Sequence, residues 1–343
     1  MPSVRCLEAC RPLRLLLPRR AAARRTMLAF AAFALPAGAA PDAYITNQGS
    51  NDVSVIDGER LAVVGRIAVG RSPAGIAVST AGGKAFVSNP DSATVSVIEL
   101  GSRRVVATIP VDGVPLGIAT SPDGGRLFVA GWQTNRLHVL ATDDHRLLAS
   151  IPVGRSPAGI AVSPDGGTVF VANRDDDDIS VIDASTLKVT TTVAAGRHPF
   201  ALGVSPSGKH LVALNVYGDD VTVIDAASRA PVATLAVGRA PYGVAFDDTG
   251  RRAFVTNQQG ASVSVIDLDA EPPRVAATWA TAEYPEGVAF DAGRLWVVGW
   301  MDDQVAIHDA GSGRRLRDVP VGRNPRAFGA FLATASRDRA APR

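Results

Sequence analysis

Residues 84–125 read KAFVSNPDSATVSVIELGSRRVVATIPVDGVPLGIATSPDGG, and the pattern of this stretch returns every 42 residues along the chain. Four β-rich segments lie within it. KAFVSN (84–89) is a short apolar run, and TVSVIE (94–99) alternates polar and apolar residues with the strand period of two. VVATIPV (105–111) follows a polar turn. PLGIATS (115–121) then leads into SPDGG, whose residues accept tight or positive-φ geometry. Equivalent units begin at Asp42, Lys84, Arg126, Thr168, His210, Arg252 and Arg294, reading DAYITN, KAFVSN, RLFVAG, TVFVAN, HLVALN, RAFVTN and RLWVVG. Seven units of four short antiparallel strands specify an all-β fold, a seven-bladed β-propeller of four-stranded antiparallel blades.

The order of strands within a blade follows from proline and glycine. Pro110, Pro152 and Pro320 fall in the third segment of their units, where a missing N–H is tolerated at a sheet edge, so that segment is outermost. The segments holding Gly75, Gly117, Gly159, Gly243 and Gly287 are then innermost, where strands crowd around a channel. The chain begins with a second strand and ends, at PRAFGAFLATA, with an inner one. The C-terminal strand is therefore expected to complete the N-terminal blade and close the ring.

FVTNQQGASVSVID (254–267) and ATIPVDGVPLGIATSPDGG (107–125) resemble the YVTN-type propeller repeat, and the resemblance extends over residues 42–335. It implies the same fold. It does not select a function, because proteins with this repeat include YncE-like periplasmic proteins, archaeal surface-layer proteins and propeller domains of quinone- or haem-dependent enzymes.

The first 39 residues read as an export signal. Arg5, Arg11, Arg14, Arg19, Arg20, Arg24 and Arg25 precede the apolar run MLAFAAFAL (27–35) and the small-residue stretch after Pro36, with cleavage expected after Ala39. Arg24-Arg25-Thr26-Met27-Leu28 also resembles a twin-arginine signal, so both that route and the Sec route stand. The apolar run is too short to span a bilayer, which takes roughly 20 apolar residues, and no transmembrane segment is expected in the mature chain. Residues 336–343 read as a short polar tail. Removing the signal leaves 28 basic against 32 acidic residues, a net of about −4, which weakens any general polyanion-binding role. Cys6 and Cys10 both leave with the signal, so the mature chain has no disulfide, thiolate nucleophile or haem-attachment motif.

Strand direction sorts the connections onto two faces. The VGRSP-type loops entering the inner strands share a face with the NxxDD-type loops leaving the second strands, and the SPDGG and VIDAST turns lie opposite. On the first face Arg71, Arg155, Arg197, Arg239 and Arg323 occupy one repeat position. They form either an anion-collecting ring, since guanidinium forks match carboxylate and phosphate, or a set of structural ion pairs with acidic neighbours such as Asp175–Asp178, Asp219, Asp220, Asp302 and Asp303. Departures from the repeat add candidates. After the loop proline come Ala74, Leu116, Ala158, Phe200, Tyr242, Glu286 and Arg326. With His198 and Glu283, the last four of these would line one side of a pocket, or simply pack with a Glu286–Arg326 ion pair. Trp132 and Trp300 follow a glycine where other units have Asn, and read either as ligand contacts or as apolar plugs between blades. The repeated Asn (Asn47, Asn89, Asn173, Asn215, Asn257) reads as a turn former.

No catalytic or metal constellation emerges. His138, His145, His198, His210 and His308 fall at different repeat positions, and no phosphate-binding loop or nucleophile elbow occurs. The expected function is therefore that of an exported, monomeric, non-enzymatic module without cofactor, binding a small anionic ligand, a peptide or a protein through its loop-rich face. Two other readings stand beside it. One is a propeller enzyme or accessory, either a metal-assisted lactonase-like hydrolase or a partner of periplasmic quinone-dependent oxidation; the other is single-stranded nucleic-acid binding on the Arg, Trp and Tyr side chains.

Overall fold

Alternating sequence gives half-buried strands when one face of a sheet meets water, but here the central residues of the second and third strands are buried on both faces, because every blade is sandwiched between two others. The computed structural model describes residues 40–333. The expected export signal 1–39, both cysteines and the tail 336–343 lie outside the described residues. Blade 2 shows the plan: Gly75–Ser79 innermost, then Lys84–Asn89, Thr94–Glu99 and Arg104–Pro110 outermost, each antiparallel to the next. Blades 3 to 7 repeat it, with innermost strands Pro115–Thr120, Pro157–Val162, Pro199–Val204, Pro241–Phe246 and Pro285–Asp291.

Blade 1 takes Asp42–Asn47, Asp52–Asp57 and Ala62–Ala68 from the start of the ring and its innermost strand from the end. Leu332–Ala333 pairs antiparallel with Asp42 and Ala43, and Phe328–Ala330 runs parallel to Gly75–Ala77 of blade 2. The C-terminal segment thus closes blade 1 and also zips it to the next blade. Pro110, Pro152 and Pro320 all lie in outermost strands. Each outer strand also carries a bulge, as where Val55 pairs with Gly65 but Ile56 with Val63, leaving Val64 over. Bulges and prolines blunt edges that would otherwise offer a template for another chain.

The core lies between blades. Tyr44, Phe86, Phe128, Phe170, Phe254 and Trp296 hold the same place in their second strands and are at most 1% exposed, with Val212 taking that place in blade 5. A basic residue at the start of the second strand fastens neighbouring blades from outside: Lys84 Nζ donates to Thr142 O (2.6 Å), Arg252 to Ala310 O (3.0 Å) and Arg294 to Gly58 O (2.8 Å). Around the channel the inner strands approach so closely that a side chain would strike the neighbouring backbone. A Cβ on Gly117 would sit 1.8 Å from Ala158 O, and one on Gly243 2.2 Å from Glu286 O. Since the obstacle is backbone on a ring with no slack, Gly117→Ala is expected to destabilise the protein by about 3 kcal/mol or more. A urea midpoint unchanged from wild type would show that the ring can widen there.

Candidate functional site

The loop-rich face is built from a repeated bracket. Asn47, Asn89, Asn173, Asn215 and Asn257 are fully buried, and each Nδ2 donates to side-chain oxygens at the start of the third strand, as Asn173 does to Asp178 (2.7 Å) and Ser180 (2.8 Å). The carboxamide oxygen of Asn173 accepts from Gly154 N (3.0 Å), and Asn215 and Asn47 do the same for Gly196 and Gly322. The bracket is why V-G-R recurs: a Cβ on Gly154 would lie 2.5 Å from the Asn173 side chain. The Asn is therefore a buried hub reaching across blade and loop as well as a turn residue. Blades 3 and 7 invert it. There Gly131 and Gly299 replace the Asn, and Asp112 and Ala282 replace the loop Gly; a Cβ on Gly299 would meet that of Ala282 at 2.6 Å.

The five repeated arginines are exposed, and four of them share one contact. Arg71, Arg155, Arg239 and Arg323 donate to the backbone carbonyls of Asp91 (2.6 Å), Asp175 (2.6 Å), Gln259 (2.9 Å) and Gly49 (2.9 Å) in the neighbouring loop of their own blade. Among the described residues Arg155 alone of the five pairs with a carboxylate, Asp176 at 2.5 Å. Most acidic residues of this face serve backbone instead. Asp177, Asp219 and Asp303 accept the N–H of His198 (2.7 Å), Ala240 (2.8 Å) and Asn324 (2.7 Å), which stand at positive φ in the next blade's loop. The guanidinium of Arg197 has no partner among the described residues.

Beside Arg197 a row of packed aromatic and guanidinium groups crosses three blades. The Arg174 guanidinium lies over Trp132 (5.5 Å) and Tyr217 (5.2 Å), and the Tyr217 ring packs at a tilt against His198 (4.5 Å). Arg174 also donates to the Tyr217 hydroxyl (3.2 Å) and pairs with Asp175 (2.6 Å). The Ser156 hydroxyl, chiefly, holds the Asp175 carboxyl below its ordinary range, so it stays ionised beside Arg174. Tyr217 N joins Arg197 O (3.4 Å). Tyr217 is 55% exposed, and with Met301 at the equivalent position of blade 7 it is one of two large apolar side chains exposed off the outer strands among the described residues. Arg174, Tyr217 and Met301 were not among the residues the sequence singled out. Comparing units at the second loop position, where Gly49, Asp91, Gln133, Asp175, Tyr217, Gln259 and Met301 align, would have found Tyr217 and Met301.

Phe200, Tyr242, Glu286 and Arg326 come together, but as a plug and not as the wall of an open pocket. Phe200 packs on Tyr242 (4.5 Å) and Phe328 (5.2 Å), with Trp132 at 6.3 Å. Arg326 pairs with Glu286 (2.7 Å) and bonds the Tyr242 hydroxyl, while Gln258 donates to the other Glu286 oxygen (2.8 Å). Burial pushes the Glu286 carboxyl and the Tyr242 phenol up, opposed by Arg326. Burial also works against the Arg326 charge, yet Glu286 and Tyr242 outweigh it and keep the guanidinium protonated. Glu283 stands apart: its backbone N–H donates to Asp302 (2.8 Å) and its side chain is exposed. Trp300 bridges blades 7 and 1, its indole N–H donating to Gln48 (3.2 Å) with Tyr284 at 5.9 Å. No group of three or more His, Cys, Asp or Glu side chains among the described residues is arranged to hold a metal, and no helix there is long and apolar enough to cross a membrane.

Blades, brackets and rim define a seven-bladed propeller of regular repeat. Residues 161–252 match the family model for the YNCE-like beta-propeller, which with the seven-bladed ring supports a YncE-like propeller family. Comparison with curated proteins gives no match. Among solved structures the chain is similar to hydrazine synthase of Kuenenia stuttgartiensis, with 20% identity, TM-score 0.71 and coverage of 80% of this chain and 96% of that one. A functionally unknown protein from Desulfotomaculum acetoxidans gives 15%, 0.76, 86% and 99% for the same measures. For the dihydro-heme d1 dehydrogenase NirN in complex with DHE they are 19%, 0.63, 83% and 64%, so this chain spans less than two thirds of that protein. At these identities the likeness is one of fold.

Proposed function

We propose that this chain is an exported, non-catalytic interaction module that docks an acidic segment of a peptide or protein on the arc of blades 3 to 5. The carrying observation is Arg197: of five equivalent exposed arginines, it alone lacks a partner for its side chain among the described residues. A guanidinium left open presents a planar donor fork suited to a carboxylate. The half-exposed Tyr217 beside it, braced by Arg174 and His198, supplies a rigid aromatic surface of the kind that anchors interfaces. Export rests on the basic and apolar pattern of residues 1–39.

A photo-cross-linking residue placed at Tyr217 should capture a discrete partner in cells that export the protein, whereas one at Val106 on an outer strand should not. Arg197→Glu, introduced elsewhere in the same chain, should lower capture at least tenfold, and Arg104→Glu on an outer strand should change it less than twofold. Equal losses for the two charge reversals, or no loss for Arg197→Glu, would overturn the assignment.

A further inference from the structure

The channel is closed at one end and open at the other. At the loop-rich end Phe200, Tyr242 and Phe328 pack together over the Glu286–Arg326 pair. Towards the opposite face lies a cavity of about 450 Å³, bounded by the exit halves of the inner strands: Gly159–Val162, Ala201–Val204, Gly243–Phe246, Gly287–Phe290 and the closing segment Phe328–Leu332. Thr120 and Pro122 stand at its rim beside the Ser121–Gly125 turn. Its size falls within the roughly 300–1,000 Å³ of small-molecule sites.

The lining has an unusual composition for a surface cavity. Among the described residues none of its side chains is charged, Thr120 carries the one hydroxyl, and Phe246, Phe290, Phe328 and Phe331 supply four rings. Polar capacity comes from backbone. In blades 3 to 6 the innermost strand joins its sheet only through the second strand of its blade, so its other edge faces the channel and carries N–H and C=O groups, of which Leu116 O already accepts from Ser88 (2.7 Å); in blade 7 the Gly287 N–H on that edge donates to Arg326 O (3.0 Å). A charged ligand would lose its hydration there with no opposite charge to meet it, at a large desolvation penalty. A fully saturated hydrocarbon would leave the strand edges unmet.

We infer that the open end of the channel is a second binding site, on the face opposite the rim, for a neutral and largely apolar small molecule carrying carbonyl or hydroxyl groups. The aromatic plug forms its floor, so entry and exit use the SPDGG face alone.

The neutral dye 1-N-phenylnaphthylamine, added to the mature protein, should give a saturable one-to-one fluorescence rise. Ala119→Phe with Val162→Phe, which fill the cavity, should weaken binding at least tenfold, whereas Val106→Ser on an outer strand should shift it less than twofold. In the wild-type protein, titrating the dye should move the methyl resonances of Ile160, Leu202 and Val204. That measurement stands even if the filled variant fails to fold. Non-saturable binding, binding that follows Val106→Ser, or methyl shifts confined to outer-strand residues such as Val64 and Val106 would overturn the site.

Discussion

A chain ending at Asn324 is expected to lose its cooperative unfolding transition and become open to proteolysis. The deleted segment is short, but it carries the strand pairing of Leu332–Ala333 with blade 1 and of Phe328–Ala330 with blade 2 that closes the ring at the channel. Phe331 is fully buried and Phe328 nearly so, and losing a buried phenylalanine side chain removes about 3–5 kcal/mol. Backbone bonds go with them: Arg326 N to Thr46 O (2.8 Å), Phe331 O from Tyr44 N (2.9 Å) and Arg326 O from Gly287 N (3.0 Å). Two such rings already approach the roughly 5–15 kcal/mol by which whole proteins are stable. A repeat array pinned at both ends has no end blade to fray, whereas the shortened chain has two. A chain ending at Ala333 keeps both closing strands and is the comparison for the shorter one. If the shorter chain melted in a single transition within a few degrees of the longer one, closure by this segment would not be what holds the ring.

The second large effect should come from Glu286. Glu286→Leu leaves the Arg326 guanidinium buried against Tyr242 with its counter-charge gone, and breaking a buried pair from one side is destabilising by about 3–5 kcal/mol. Removing both charges is a different experiment. With Glu286→Leu and Arg326→Met together the site becomes apolar and of similar volume, and stability should return to within about 1 kcal/mol of wild type or exceed it. Urea unfolding of the two single variants and the double completes the cycle. A double variant no better than Glu286→Leu would mean that the plug depends on the bonds to Gln258 and Tyr242 more than on the charge pair itself.

Fold and rim were unequally legible in the sequence. The 42-residue period, the outer-strand prolines and the orphan inner strand at PRAFGAFLATA are local patterns, and each led to its place in the ring. The Glu286–Arg326 pair was also visible, because both residues break the repeat at one position. The arginine contacts were not. Their acceptors are mainly backbone carbonyls of the neighbouring loop, and a carbonyl leaves no mark on residue type, so carboxylates looked like the natural partners. The role of Asn173 was half visible: its turn preference could be read, but its reach to Gly154, 19 residues earlier, depends on how loop and strand end are juxtaposed. The channel cavity was invisible for a related reason. Gly159, Ala161 and Val162 read as ordinary inner-strand residues, and that they leave space between them is a property of seven strands at once.

The inverted brackets of blades 3 and 7 bear on how such a rim can change. In blade 7, as in the blades with Asn, one smaller and one larger residue share a fixed space, whereas in blade 3 the space beside Gly131 is taken by Thr134 and His138; altering either member of a sharing pair alone produces a collision or a vacancy. The two positions must move as a couple. The residue that follows the bracket varies with either arrangement: Trp132 and Trp300 stand where the Asn-bearing blades carry Gln48, Pro90, Arg174, Val216 and Gln258. The propeller thus has two interchangeable sockets, and exchanging one for the other in blade 4 through Gly154→Ala with Asn173→Gly would open that sector to new surface chemistry while leaving its strands alone.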